Sequence, residues 1–122
     1  MPAEASFNPV RGFSMSLTAK TCIPCKGGVD PLSRTDAERY LREVPGWQLA
    51  EDGRRIYREY KFKNFVQALE FVNKVGEIAE REAHHPEIQF GWGHARVELW
   101  THKINGLHEN DFIVAAKIDQ PG

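Results

Sequence analysis

The chain has 122 residues, of which 41% are hydrophobic and 27% are charged, and its formal net charge is -1. This length suits a single domain with one hydrophobic core. The near-zero net charge excludes a general electrostatic attraction to nucleic acid or to an anionic membrane, and no apolar run approaches the roughly 20 residues that span a bilayer. We therefore expect a soluble, cytoplasmic protein that acts on a small molecule or on another protein.

The N-terminal segment is predicted to be a flexible extension over residues 1–21, ahead of a single domain over residues 22–122. Residues 1–20 lack the continuous apolar stretch of a secretory signal. Met15 is an alternative start of translation, so the sequence leaves the true N-terminus open.

Cys22 and Cys25 form an isolated C-x-x-C motif, for which three interpretations are open. A redox dithiol normally opens a helix after a strand, whereas the segment that follows, residues 26–33, is rich in turn-forming residues. A structural zinc site needs four ligands, and the sequence contains no second pair of this kind. A turn that carries two incidental thiols is therefore the favoured interpretation.

The first half of the domain predicts a helix followed by a β-hairpin. Ser33 is a typical helix N-cap, apolar residues recur at helical spacing after it, and Pro45-Gly46 stops the helix. Asp52-Gly53 is a tight-turn signal between a short strand and a strand with period-2 alternation. The predicted elements of this half are a helix over residues 34–44 and strands over residues 47–50 and 54–62.

The second half predicts another helix and hairpin, followed by a last helix. Asn64 caps the longest helix, and Pro86 prevents that helix from continuing. In the last strand Ala95, Val97 and Leu99 point one way and the residues between them point the other. The predicted elements of this half are a helix over residues 65–83, strands over residues 87–93 and 94–102, and a helix over residues 109–118.

The element order α-β-β-α-β-β-α places paired strands between helices, without a series of β-α-β crossovers. This order predicts an α+β fold, with a four-stranded antiparallel sheet and helices packed on one face. The longest helix has a broad apolar band, which predicts that it meets both its own sheet and another subunit. Together with the free sheet edges, the band predicts a homodimer or homotetramer, and the sequence does not choose between them.

Histidine is the residue type that sets this sequence apart, with five in the chain. His84 and His85 close the longest helix, and Pro86 fixes the backbone after them. Glu80 lies one helical turn before His84, where its carboxylate would share a helix face with that ring and hold it. His102 lies at the predicted end of a strand, where the following loop leaves it free to face a pocket.

Two other interpretations of these histidines stay open. The pair His84-His85 could form a zinc or iron site with His102 and either Glu80 or Asp111. Adjacent residues at a helix end project in different directions, and the chain has neither H-x-x-x-H nor H-E-x-x-H, so no metal site is predicted. The other alternative is a set of surface histidines at the ends of elements.

Residues 80–86, which read EREAHHP, resemble the signature of the pterin-4a-carbinolamine dehydratase family, an acidic residue followed after three positions by His-His-Pro. The spacing to Trp92, His102 and Asp111 is similar to that of the family as well. Further similar segments, which extend the resemblance over residues 22–119, are VPGW at 44–47, FKNF at 62–65 and a C-x-P-C-x-G-G leader.

The resemblance implies a lyase that dehydrates a 4a-hydroxytetrahydropterin to quinonoid dihydropterin and water, in support of tetrahydrobiopterin recycling for an aromatic amino acid hydroxylase. It implies that His84, His85 and His102 are the catalytic acid–base groups, without assigning which is the acid. It implies no metal and no organic cofactor, because the pterin is the substrate. The residues that the resemblance assigns to substrate binding are Glu80, Pro86, Trp92, Thr101, Lys103 and Asp111.

Some family members also act as a dimerisation partner of a transcription factor, so a coactivator-type binding module on the same fold is the alternative function. No nucleic-acid or membrane partner is expected. Three positions depart from the family pattern: Ala83 where many members have a polar residue, Ile88 where some have Trp, and His108 where a Ser or Thr cap is usual. Outside the pattern, Trp100 is interpreted as a packing or interface residue and Arg54-Arg55 as a solvated hairpin end.

Overall fold

Three α-helices and a four-stranded sheet form the fold that the computed structural model describes for residues 16–24 and 27–120. The predicted α+β class and the order of elements are confirmed. In chain order the elements are α1 (Arg34–Leu41), β1 (Gln48–Leu49), β2 (Ile56–Lys61), α2 (Phe65–Glu82), β3 (Glu87–Gly91), β4 (His94–Leu99) and α3 (Glu109–Asp119). Short 3-10 helices cover Leu17–Ala19 and His102–Ile104.

The sheet has the strand order β1-β2-β4-β3, and every neighbouring pair is antiparallel. The predicted alternation of β4 is confirmed, because Ala95, Val97 and Leu99 are all buried beneath the helices. The strand ends at Leu99, three residues before the predicted end. Thr101 and Gly106 form an isolated bridge that turns the chain away from the sheet, and this turn carries His102.

α3 is buried on almost every side. The whole run from Asn110 to Ala115 is buried, because the helix packs against α1, α2 and the N-terminal 3-10 turn. Phe112 is fully buried and stacks on Tyr40 with ring centroids 5.1 Å apart. The first turn of α3 therefore lies inside the protein, close to the end of α2.

The packed part of the chain begins before residue 22. Leu17 belongs to the hydrophobic core, and Lys20 forms a 2.6 Å salt bridge with Glu109 at the start of α3. Of the extension predicted over residues 1–21, residues 1–15 lie outside the described part of the chain. Cys25 also lies outside them, so the predicted Cys22–Cys25 turn is described only in part.

α2 buries one side against the protein and leaves apolar residues exposed near its start. Its buried apolar residues are Ala68, Val75, Ile78 and Ala79. An exposed apolar patch lies on the outer side of α2 and the neighbouring hairpin, and its members are Phe65, Val66, Leu69, Phe90 and Trp92. None of the described helices combines the length and the apolar character that crossing a membrane requires.

Candidate active site

α2 ends in a left-handed turn that directs the paired histidines away from the helix. Ala83 has φ 53° and ψ 39°; its N–H donates to the Glu80 carbonyl at 3.3 Å, and the His84 N–H donates to the Ala79 carbonyl at 3.1 Å. Together these bonds form a Schellman closure, in which glycine usually occupies the left-handed position. The turn takes His84 and His85 off the helix face, so the expectation that Glu80 holds His84 is wrong.

The carboxylate that holds His84 comes from α3. His84 Nε2 lies 2.6 Å from Asp111 Oδ1, and the Asp111 side chain is fully buried. Asp111 Oδ2 accepts hydrogen bonds from the Thr101 hydroxyl at 2.8 Å and from the His108 N–H at 3.0 Å. Because both of these donors reach Oδ2, Oδ1 is the oxygen that faces the ring, and we assign His84 Nε2–H as the donor to it. His84 Nδ1 is then the nitrogen available to a bound molecule.

The start of α3 is capped in a way that fixes Asp111. His108 Nδ1 accepts a hydrogen bond from the Asn110 N–H at 3.0 Å, and Asp111 returns a bond to the His108 N–H. An imidazole thus replaces the Ser or Thr hydroxyl that is usual at this cap. The departure at His108 therefore preserves the cap and leaves the Asp111 carboxylate directed at His84.

His85 is held by Glu80 in a much more exposed position. His85 Nε2 lies 2.5 Å from Glu80 Oε2, and the two side chains are 58% and 79% exposed. We assign Nε2–H of His85 as the donor to this carboxylate, which leaves Nδ1 available. His84 is thus the inner histidine of the pair and His85 is the outer one.

His102 is positioned by an aromatic neighbour. Its ring stacks on Trp100, with centroids 4.4 Å apart and planes inclined by 30°. The Thr101 N–H donates to the Gly106 carbonyl at 2.8 Å, and this bond anchors the turn that follows β4. This stacking agrees with the interpretation of Trp100 as a packing residue, and it places Trp100 beside a predicted catalytic histidine.

The three histidines share one cavity of about 450 Å³. This volume lies within the usual range for small-molecule sites. Ala83 and the segment from Trp100 to Lys103 also line the cavity. The end of α2 and the turn after β4 therefore bring together all three imidazoles that the sequence proposed, with Thr101 and Lys103 beside them.

The N-terminal segment forms another wall of this cavity, through Cys22, Ile23 and Pro24. The Ile23 N–H donates to Asn110 Oδ1 at 3.1 Å, and Asn110 Nδ2 donates to the Ile23 carbonyl at 2.7 Å. The Cys22 N–H donates to Glu82 Oε1 at 2.9 Å. These bonds join residues that are 60 or 87 positions apart, so no local sequence pattern points to them.

Two groups at this wall, the half-buried Cys22 and the buried Glu82, have shifted pKa values. Burial raises the pKa of the Cys22 thiol to about 12, and the Glu82 carboxylate adds to the effect, so the thiol is protonated at neutral pH. That state does not favour the redox interpretation of the C-x-x-C motif. Burial alone would raise the pKa of Glu82, but hydrogen bonds from Lys117 Nζ, at 2.6 Å, and from the Cys22 N–H outweigh burial and lower it.

A comparison with protein families identifies the chain. The model of the family described as pterin 4 alpha carbinolamine dehydratase matches residues 30–121. The chain belongs to this family.

Named relatives of the chain carry the name of the same family. A Halorhodospira halophila protein whose name assigns it to the pterin-4-alpha-carbinolamine dehydratases is 60% identical over 108 residues, which are 88% of this chain and 99% of the relative. A Methylococcus capsulatus protein of the same name is 56% identical over 105 residues, 86% of this chain and 92% of the relative. The crystal structure of a transcriptional coactivator/pterin dehydratase from Brucella melitensis is 33% identical, with a TM-score of 0.70, and the match covers 74% of this chain and 96% of that one.

One wall of the cavity lies outside the residues that the family model matches, and one predicted substrate-binding residue lies outside the cavity. The wall formed by Cys22, Ile23 and Pro24 precedes the residues that match the pterin carbinolamine dehydratase model. Trp92, which the resemblance assigned to substrate binding, lies in the β3–β4 turn and is 71% exposed. It stands at the opposite end of β4 from His102, on the order of 20 Å away at the usual rise of a strand. Within one subunit the fold does not bring Trp92 to this cavity.

Pro86, Glu80 and Asp111 lie beside the cavity lining. Pro86 follows His85 and precedes β3, whereas the two carboxylates contact the histidines that they hold.

Across residues 16–24 and 27–120, no group of three or more His, Cys, Asp and Glu side chains is arranged to hold a metal ion.

Proposed function

We propose that this chain dehydrates a 4a-hydroxytetrahydropterin to quinonoid dihydropterin and water, with His84, His85 and His102 as the acid–base groups. The observation that supports the proposal is the convergence of three imidazoles, from two separate elements, on one cavity of small-molecule size. The family and the names of the relatives favour the same substrate class. Tetrahydrobiopterin recycling for an aromatic amino acid hydroxylase, in the cytoplasm, is part of the proposal.

The reaction consists of two proton transfers. The C4a–O bond breaks, and the leaving hydroxyl takes up a proton and departs as water. The proton on N5 is removed, so that its electron pair forms the C4a=N5 double bond. Imidazoles both donate and accept protons near neutral pH and can serve both steps. No electrons are gained or lost, so the reaction needs no redox group. The proposal assigns both proton transfers to imidazoles and includes no metal and no organic cofactor.

His84 is the group best suited to take the N5 proton. Its Nε2–H is directed to Asp111, which leaves the lone pair of Nδ1 for the substrate. A buried carboxylate behind an imidazole stabilises the positive charge that the ring gains when it accepts a proton, as in the Ser-His-Asp triad. His85 and His102 are more exposed, so they deliver a proton to the hydroxyl and exchange protons with water.

The other site residues take supporting roles in the proposal. Thr101 donates its hydroxyl to Asp111 and so keeps that carboxylate fixed. Lys103 lines the cavity and offers a cation to the polar edge of the pterin ring. Glu80 orients His85, and Pro86 holds the backbone that follows it.

The proposal is tested with a 4a-hydroxytetrahydropterin generated in situ by an aromatic amino acid hydroxylase, the decay of which is followed by absorbance. The wild-type chain should accelerate this decay, and a His84→Ala, His102→Ala double variant should lose roughly 10²–10⁴-fold of the acceleration. His94→Ala is the matched control, because His94 is an exposed histidine at the start of β4 that does not line the cavity. An unaltered decay with micromolar wild-type protein, or full activity of the double variant, would contradict the proposal.

Self-association is proposed through the exposed apolar patch on α2 and the hairpin. Two of its rings, Phe65 and Phe90, pack on each other with centroids 5.6 Å apart, and together with Leu69 they present one apolar surface. A second copy of the chain is the proposed occupant, as a homodimer or homotetramer, and the same patch would serve a coactivator-type role. Light scattering should give a multiple of the 13.9 kDa chain mass. Leu69→Glu should lower the measured mass and Glu77→Gln should not; a monomeric wild type would refute the idea.

A further inference from the structure

His102 differs from the other two site histidines in the way it is held. The rings of His84 and His85 each contact a carboxylate, at 2.6 Å and 2.5 Å. No hydrogen bond to the His102 ring comes from residues 16–24 or 27–120, and the residue is exposed on a three-residue 3-10 turn. An exposed imidazole without a hydrogen-bond partner occupies several rotamers unless packing restricts it.

The packing that restricts His102 comes from the indole of Trp100. The two rings stack with centroids 4.4 Å apart, and Trp100 is half-buried where His102 is exposed. Trp100 lines the substrate cavity and also lines a smaller pocket of about 160 Å³. The indole therefore borders both spaces, and His102 lines only the larger one.

Arg55 supports the indole from the side of the smaller pocket. Its guanidinium Cζ lies 4.0 Å from the centroid of the Trp100 ring, in a cation–π arrangement. The sheet register explains the contact, since Ile56 pairs with Leu99 and the next residues outward, Arg55 and Trp100, face each other across the two strands. Arg55 Nη1 also lies 3.6 Å from Glu98 Oε1, which holds the guanidinium over the ring.

We propose that Trp100 and Arg55 are positioning residues, which hold the His102 imidazole in the orientation that serves the acid–base reaction. The inference rests on the proposed function of His102. Trp100 fixes the plane of the imidazole by stacking, and Arg55 fixes Trp100. The sequence places Arg55 in a hairpin and Trp100 45 residues later, so only the paired strands bring them together.

Kinetics of four variants test the inference. Trp100→Ala should lower kcat about tenfold with little change in KM, because the substrate cavity remains but the His102 imidazole is no longer oriented. Trp100→Phe, which keeps a flat ring for stacking, should restore most of kcat. Arg55→Ala should give a smaller loss, and Arg54→Ala is the control, because Arg54 lies next to Arg55 but outside both pockets.

A nuclear magnetic resonance measurement gives a readout that does not depend on activity. The ring protons of His102, assigned by their loss in His102→Gln, should lie upfield because of the indole ring current. Trp100→Ala should abolish this shift and Arg55→Ala should reduce it. The Arg55 side chain is 40% exposed, so Arg55→Ala should fold. This variant therefore tests the inference even if Trp100→Ala does not fold.

The outcomes separate this inference from the proposed function. An active wild type in which Trp100→Ala changes neither kcat nor the His102 resonances overturns the inference alone. A raised KM with unchanged kcat also overturns it, since Trp100 would then bind substrate rather than orient His102. An inert wild type that still shows the upfield His102 resonances refutes the proposed function and leaves the packing of His102 on Trp100 supported.

Discussion

Replacing Asp111 with Asn removes the charge behind His84 and changes almost no volume. The geometry predicts which way the amide will face. Asp111 Oδ2 accepts from two donors, the Thr101 hydroxyl and the His108 N–H, so the amide oxygen takes that position. The NH2 group is then left facing His84 Nε2, where Oδ1 now stands at 2.6 Å.

Two consequences follow from this orientation. The His84 ring can satisfy the amide only by moving its proton to Nδ1, and that nitrogen can then no longer take the N5 proton of the substrate. A wrong imidazole tautomer costs about 10⁴-fold in kcat in the Ser-His-Asp triad, so Asp111→Asn should lose roughly 10²–10⁴-fold. A hydrogen bond to a charged group contributes about 1.5–3 kcal/mol, so the free energy of unfolding should fall by up to about 3 kcal/mol.

The assay combines kcat at saturating pterin with urea unfolding followed by circular dichroism. Glu80→Gln is the matched control, because it makes the same chemical change at the exposed carboxylate that holds His85. Its free energy of unfolding should stay within about 0.5 kcal/mol of the wild type. A folded Asp111→Asn protein with kcat within about twofold of the wild type would refute the assigned role of His84.

Three further predictions concern the surroundings of the cavity. Ala83→Gly should raise the free energy of unfolding by roughly 0.5–1 kcal/mol in urea, because glycine adopts the left-handed φ of 53° without steric cost, and a loss of stability would contradict this. The pKa of Glu82 is lower in the folded protein than its ordinary value of 4.5, so the ionised carboxylate stabilises the fold at any pH above 4.5. This contribution is lost as the pH falls through the folded-state pKa. Urea midpoints of Glu82→Gln should therefore fall less steeply than those of the wild type at acid pH, and equal slopes would disprove the assignment. Ile23→Ser should raise KM and leave kcat unchanged, because Ile23 lines the cavity. Val29→Ser is the control, at an exposed residue away from the cavity, and should change neither constant. Equal KM values for the two variants would mean that Ile23 does not contact the substrate.

The parts of the fold that follow from periodicity could be predicted from the sequence. In β4 the alternation of Ala95, Val97 and Leu99 indicated the buried face, and all three residues are buried. The end of α2 was indicated by Pro86, because proline cannot continue a helix. Convergence of the histidines needed only the positions of these two elements and the family resemblance.

Contacts that depend on one backbone angle or on distant residues could not be predicted. Ala83 has no sequence signature of a left-handed residue, since glycine is usual there, and this single turn decides that Glu80 holds His85 and not His84. The wall formed by Ile23 depends on its pairing with Asn110, 87 residues away. Such a contact is set by the packed fold and leaves no local pattern.

The most direct measurement of the central claim is a titration of the wild-type protein with a non-reactive 7,8-dihydropterin, followed by the nitrogen resonances of the histidine rings. His84, His85 and His102 line one cavity, so their resonances should move together along a single binding curve, while those of the exposed His94 stay in place. Movement of His94 alone, or no movement of the three cavity histidines at saturating pterin, would show that they do not serve one pterin site.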